Sequence, residues 1–246
     1  MTLTQHRLLN DAVLYAYSSE FATQLHEGIG YALGVEVAAT RHATWLELGA
    51  HVVASSLDLV DGRLKDKAVR CASKALFKEP RNNRDNKPDP TQWEMLEQHG
   101  IVDNPRADER TDKRYFYSLM SALTIRMFNN GDTRTAKSLI TNMGVSKLRD
   151  DAKGGLRNYA ETRGWSTNAK FFGKAKTTLH VVGISALLTP PLDNPIGRRI
   201  GTAIISAGTL AGLADYTKYI SYINEQEVKP EETKIVLDDT TQGHSA

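Results

Sequence analysis

The sequence predicts an all-α fold. Apolar residues recur at helical spacing through most of the chain. Runs of alternating β-branched residues are few, and no Asn-Gly turn joins two of them as a hairpin would require. Stops built from Gly, Pro and Asn fall at intervals that suit helices rather than short strands.

The elements follow in order. Residues 8–38 mix Leu, Ala, Tyr and Val with isolated charges, at spacings compatible with helices. Residues 44–62 predict a helix that ends at Gly62. Residues 67–107 form a polar insertion, in which KEPRNNRDNKPDPTQ predicts a solvated loop and TQWEMLEQH a short helix. Residues 108–129 predict a helix stopped by Asn129-Asn130-Gly131, and residues 134–163 one or two amphipathic helices. Residues 176–190 and 198–224 are the two most apolar helices, joined by PPLDNPIG. Ala203, Ala207 and Ala211 give the second of these a stripe of small residues suited to close packing. Residues 1–224 thus predict one helical domain. The tail 225–246 has six acidic and two basic residues and predicts a disordered segment.

Composition narrows the function classes. The 246 residues carry a net charge of +2, which gives no general case for nucleic acid binding. Cys71 is the single cysteine, so an intrachain disulfide is excluded and a reducing compartment is expected. The opening MTLTQHRLLNDAVLYAY lacks the pattern of a secretory signal. Mean hydropathy is −0.41, and the longest uncharged apolar stretches, Thr177–Leu192 and Ile200–Ala214, fall short of the ~20 residues a spanning helix needs. Composition alone therefore reads as a soluble helical protein with two or three buried helices. HEGIGYALG has glycines but not the dinucleotide-binding spacing, and the seven His show no HExxH.

The chemistry gathers in two places. In SSLDLVDGRLKD, Asp58 and Asp61 stand at i and i+3, so on a helix they share a face. In NPRADERTDKRYFYSL, Asp108 and Asp112 do the same at i and i+4. Such pairs are usually solvated. Four converging carboxylates would need cations to neutralise them, and hard ions such as Mg²⁺ or Mn²⁺ take oxygen ligands and work with phosphates. Further on, Arg149 and Arg157 are about two helical turns apart, and Lys174 and Lys176 follow in GKAKT. Guanidinium forks and ammonium point charges both suit phosphate oxygens.

These residues carry a resemblance. Arg149-Asp150, six residues, then Arg157 in GGLRNYAE, followed by Gly173-Lys174-Ala175-Lys176-Thr177, looks like the second half of CDP-alcohol phosphatidyltransferases, most closely the phosphatidylglycerophosphate synthases. Asp215-Tyr216 in GLADYTKYI matches the Asp-Tyr near the end of the family's last helix. Asp58, Asp61 and Gly62 resemble the first half of the family's aspartate signature, and Asp108 and Asp112 its end. The likeness spans roughly residues 45–224. The chain departs from the signature at Lys65 and Asp66, where the family has Ala-Arg, and at Asn104, where it has Gly. Asp61 and Asp108 are also 47 positions apart, more than the signature has.

The resemblance implies a polytopic bundle of about six membrane helices, unusually polar for the family, working as a homodimer in the cytoplasmic membrane with its site facing the cytoplasm. It implies transfer of a phosphatidyl group from CDP-diacylglycerol to a small phosphorylated alcohol, glycerol 3-phosphate first among candidates. Asp58, Asp61, Asp108 and Asp112 become ligands of two Mg²⁺ or Mn²⁺ ions, and Asp112 also the general base. Gly62 would let the nucleotide approach, and Arg149, Arg157, Lys174 and Lys176 would hold phosphate. The alternative is a helical member that keeps the framework and has lost catalysis.

Overall fold

A computed structural model describes residues 2–77, 90–101, 106–163, 165 and 171–241. Among these, every regular element is helical, so the chain is all-α. The helices are α1 (Leu3–Ala39), α2 (Trp45–Leu76), α3 (Pro90–Gln98), α4 (Arg106–Asn129), α5 (Thr133–Glu161), α6 (Phe171–Leu188) and α7 (Pro195–Thr241), with a 3₁₀ turn at Pro190–Leu192. Side chains of residues 90, 91, 93, 106–112, 161, 171–173 and 229–241 lie outside the description. The chain divides into two compact units, Met1–Thr133 with Leu188–Pro190, and Arg134–Leu187 with Pro191–Ala246.

Local chemistry sets the helix ends. Thr2 caps α1 and Thr44 caps α2, each in a reciprocal capping box, with Gln5 and Glu47 respectively. Gly100 and Gly131 take φ of 64° and 73°, the left-handed conformation that ends α3 and α4. Past Gly131, the Asp132 amide bonds back to the Met127 carbonyl at 2.9 Å. Asn194 opens α7, its Oδ1 accepting from the amides of Ile196 and Gly197 at 3.1 and 3.0 Å.

Two sequence expectations shift. α2 does not end at Gly62 but runs fourteen residues further, to Leu76. An interior glycine costs only about 1 kcal/mol relative to alanine. Beyond it, Ala68, Val69 and Ala72 pack with Ala12 of α1 and Leu96 of α3, and that burial outweighs the glycine. α7 is helical to Thr241, across most of the stretch for which the sequence suggests disorder; residues 242–246 lie outside the description. So do residues 78–89, at the heart of the expected polar loop, and Asn104.

In the first unit α1 packs on both α2 and α4. Gly30 and Gly34 let α4 approach: a Cβ on Gly30 would stand 2.4 Å from the Tyr115 ring, and one on Gly34 2.9 Å from the Ser118 hydroxyl. In the second unit the α6–α7 approach is also made by glycines. A Cβ on Gly183 would meet Ile205, and one on Gly201 would meet Leu187. Ala203 and Ala207, expected at a packed face, are exposed, and the packing is done instead by Gly201, Gly208 and Gly212.

No helix among the described residues is long and apolar enough to cross a membrane. Large apolar side chains nonetheless stand on the surface of the first two helices, and several polar ones lie inside. α1 buries Ala12, Ser19, Ala22, His26 and Gly30 and turns Leu14, Tyr17, Phe21 and Leu25 outward. α2 buries Glu47, His51 and Asp61 and exposes Trp45, Leu46, Val52 and Val53.

Candidate functional site

The acidic centre lies in the first unit. α2 brings Asp58 and Asp61 to one place, and both carboxylates act electrostatically on the ring of His26, buried on α1. Asp61 is only 7% exposed. Its Oδ1 accepts a hydrogen bond from the Ser19 hydroxyl, and its Oδ2 lies 3.4 Å from Lys65 Nζ, one turn on. The polar line continues inward. The His26 ring packs 4.6 Å from that of Tyr115, whose hydroxyl shares a 2.6 Å hydrogen bond with His51 Nδ1. Gly62 is exposed, and a Cβ there would meet nothing within 4 Å.

Asp108 and Asp112 stand in the first two turns of α4, and their side chains lie outside the description. Asp58 and Asp61 offer the oxygen donors that suit Mg²⁺ or Mn²⁺. Among the described residues no three or more His, Cys, Asp or Glu gather as a metal-binding group. Further along α2, burial, and next Asp11, push the Cys71 thiol above its ordinary value, which lowers its thiolate share.

The basic centre lies in the second unit. Arg149, on α5, is 4% exposed. Its Nε and Nη2 both donate to Asp150 Oδ1, Nε at 3.0 Å. Lys176 of α6 approaches the same oxygen at 3.6 Å. Lys153, one turn after Arg149, pairs with the buried Asp215 of α7 and lies 5.6 Å from the Tyr219 ring centroid. Nη1 of Arg149 is buried with no hydrogen-bond partner.

Gly212 is the seat of this arginine. A Cβ there would fall 1.5 Å from Nη1 and 3.1 Å from Lys176 Cδ, so only glycine admits the guanidinium against α7. Gly208 likewise admits His180, whose Nε2 is 3.4 Å from Thr209 Oγ1. Arg149, Lys176 and Asp150 all act electrostatically on that histidine. Three cations and two carboxylates leave the centre one positive charge in excess, His180 being neutral. Of the other expected phosphate holders, Arg157 is half-buried on the same side of α5 and Lys174 is exposed.

Sequence reasoning named Arg149 and Lys176 but missed Lys153, His180 and Gly212. The Gly208–Gly212 spacing was the available signal, passed over for the neighbouring alanines. It also missed Ser19 and the pairing of Lys65 with Asp61, although Lys65 stands at i+4, where such a pair is expected. No protein-family model, no characterised protein and no solved structure matches the chain.

Proposed function

We propose that the chain transfers a phosphatidyl group from CDP-diacylglycerol to a small phosphorylated alcohol, glycerol 3-phosphate first, releasing CMP. The observation that carries this reading is Arg149. A guanidinium pressed onto a glycine, nearly excluded from water, keeps an unused N–H beside Lys176 in a centre of net positive charge. Burying a donor unpaired costs about 1–3 kcal/mol, and an anionic ligand would recover it. Charge-assisted, forked hydrogen bonds are the mode by which arginine binds phosphate.

In this reading Arg149 and Lys176, with Arg157 and Lys174 at the margin, hold the acceptor's phosphate. Asp58, Asp61, Asp108 and Asp112 are the residues that would hold Mg²⁺ or Mn²⁺. Such ions, held there, would supply positive charge against the diphosphate and the CMP leaving group. Asp112 takes the proton of the acceptor hydroxyl. The alcohol oxygen forms its bond to the phosphatidyl phosphorus as the bond from that phosphorus to the CMP oxygen breaks. The outward Leu14, Tyr17, Phe21 and Leu25 of α1, on a helix that buries Ser19 and His26, support a lipid setting in the cytoplasmic membrane. A homodimer with its site toward the cytoplasm completes the proposal.

The test is CMP release by detergent-purified protein given CDP-diacylglycerol, Mg²⁺ and glycerol 3-phosphate. Release should require the acceptor, fall by about 10²–10⁴ in Asp112→Asn, and show a raised acceptor KM in Arg149→Gln. Protein that stays in solution after cell lysis without detergent would refute the membrane setting. The second reading, a non-catalytic member, is favoured by one observation: Lys65 already neutralises Asp61. Absence of CMP with glycerol 3-phosphate, inositol phosphate and serine alike decides for it.

A further inference from the structure

We infer that Lys65 is a resident cation, its ammonium holding at Asp61 the place that a divalent ion would take. The inference rests on the metal-binding role proposed for the aspartates, and it concerns what that site must do before an ion can enter.

Asp61 is a nearly buried carboxylate whose two oxygens are both engaged by the chain itself. They are engaged differently. Ser19 is fully buried and donates from α1, so it fixes Oδ1. Lys65 reaches Oδ2 at 3.4 Å from a side chain that is 35% exposed. Its flexible stem lets the ammonium move out into water, whereas the serine has nowhere to go. Oδ2 is therefore the exchangeable position.

A divalent ion at Oδ2 and an ammonium at the same oxygen repel one another strongly, so one must leave. Asp58, a turn earlier and acting on the same histidine, gives an arriving ion a second carboxylate. Lys65 thus sets the threshold for metal: it keeps Asp61 neutralised when no ion is present and competes when one arrives.

The experiment titrates Mn²⁺ into the full chain in detergent and reads free Mn²⁺ by electron paramagnetic resonance. Lys65→Met removes the charge and keeps the stem; it should bind Mn²⁺ about tenfold tighter than wild type. Lys65→Arg keeps the charge and should bind no tighter than wild type. Adding Asp61→Asn to Lys65→Met should erase the gain. Equal Mn²⁺ affinity in wild type and Lys65→Met overturns the inference and leaves the metal assignment standing. If no variant binds Mn²⁺ while circular dichroism shows helix intact, the metal assignment itself falls, and this inference with it.

Discussion

The two units solve the same problem, a charged group inside a helical body, by different means. The first unit compensates charge with charge and hydrogen bonds. Arg126 of α4 and Glu47 of α2 are both 0% exposed and paired. Arg126 Nε also donates to the carbonyls of Val37 and Thr40 at 3.0 and 3.2 Å, so one side chain ties α4 to the end of α1 and the start of α2. Asp61 is likewise satisfied, by Ser19 and Lys65. The second unit relies on close approach. Gly212 and Gly208 remove the side chains that would keep Arg149 and His180 away from α7. In each unit the buried arginine keeps one group, Nη1 of Arg126 and of Arg149, without a hydrogen-bond partner. What separates the two centres is charge: the Arg126–Glu47 pair is neutral and ties helices together, whereas the cluster around Arg149 carries an excess positive charge, and that is where an anionic ligand gains most.

The contrast can be broken at its strongest point first. Arg126→Met leaves Glu47 buried without its cation and should cost about 3–5 kcal/mol in denaturant unfolding followed by circular dichroism. Adding Glu47→Gln should recover part of that loss. A cost under about 1 kcal/mol would show that the first unit is not held by this pair.

Next comes the glycine seat. Gly212→Ala places a methyl group onto the guanidinium and should destabilise the second unit by about 1–3 kcal/mol, with a raised KM for the phosphorylated acceptor. A neutral result in both readouts would mean that Arg149 has room to move, and the contrast between the units would blur. Thr44→Ala, which removes a helix cap from α2, should cost about 1 kcal/mol. It serves as a scale for an ordinary local loss, to be read on the same unfolding curves.

The smallest effect is the most pointed. Lys65→Met should cost no more than about 1 kcal/mol: the lysine is 35% exposed, and the nearly buried Asp61 it leaves keeps its hydrogen bond from Ser19. If it costs as much as Arg126→Met, Lys65 is part of the scaffold rather than a removable cation.

The sequence by itself determined the helical class and most helix starts and stops. Those depend on neighbours: the capping boxes at Thr2 and Thr44, the glycine stop at Gly131 and the proline-rich breaks can all be read within a few residues. Spacing also told which residues share a face, as with Asp58 and Asp61. It did not tell that α2 continues through Gly62, because contacts with Ala12 and Leu96, far away in the chain, decide that. Nor did it tell which small residues of α7 face inward. Alanines and glycines alternate there at the same period, and only the approach of Arg149 and His180 selects Gly212 and Gly208. The partners of the charged groups, Ser19 for Asp61 and Asp215 for Lys153, were decided by tertiary structure alone. A hydrogen bond reaches about 3 Å in space and carries no signature in sequence distance.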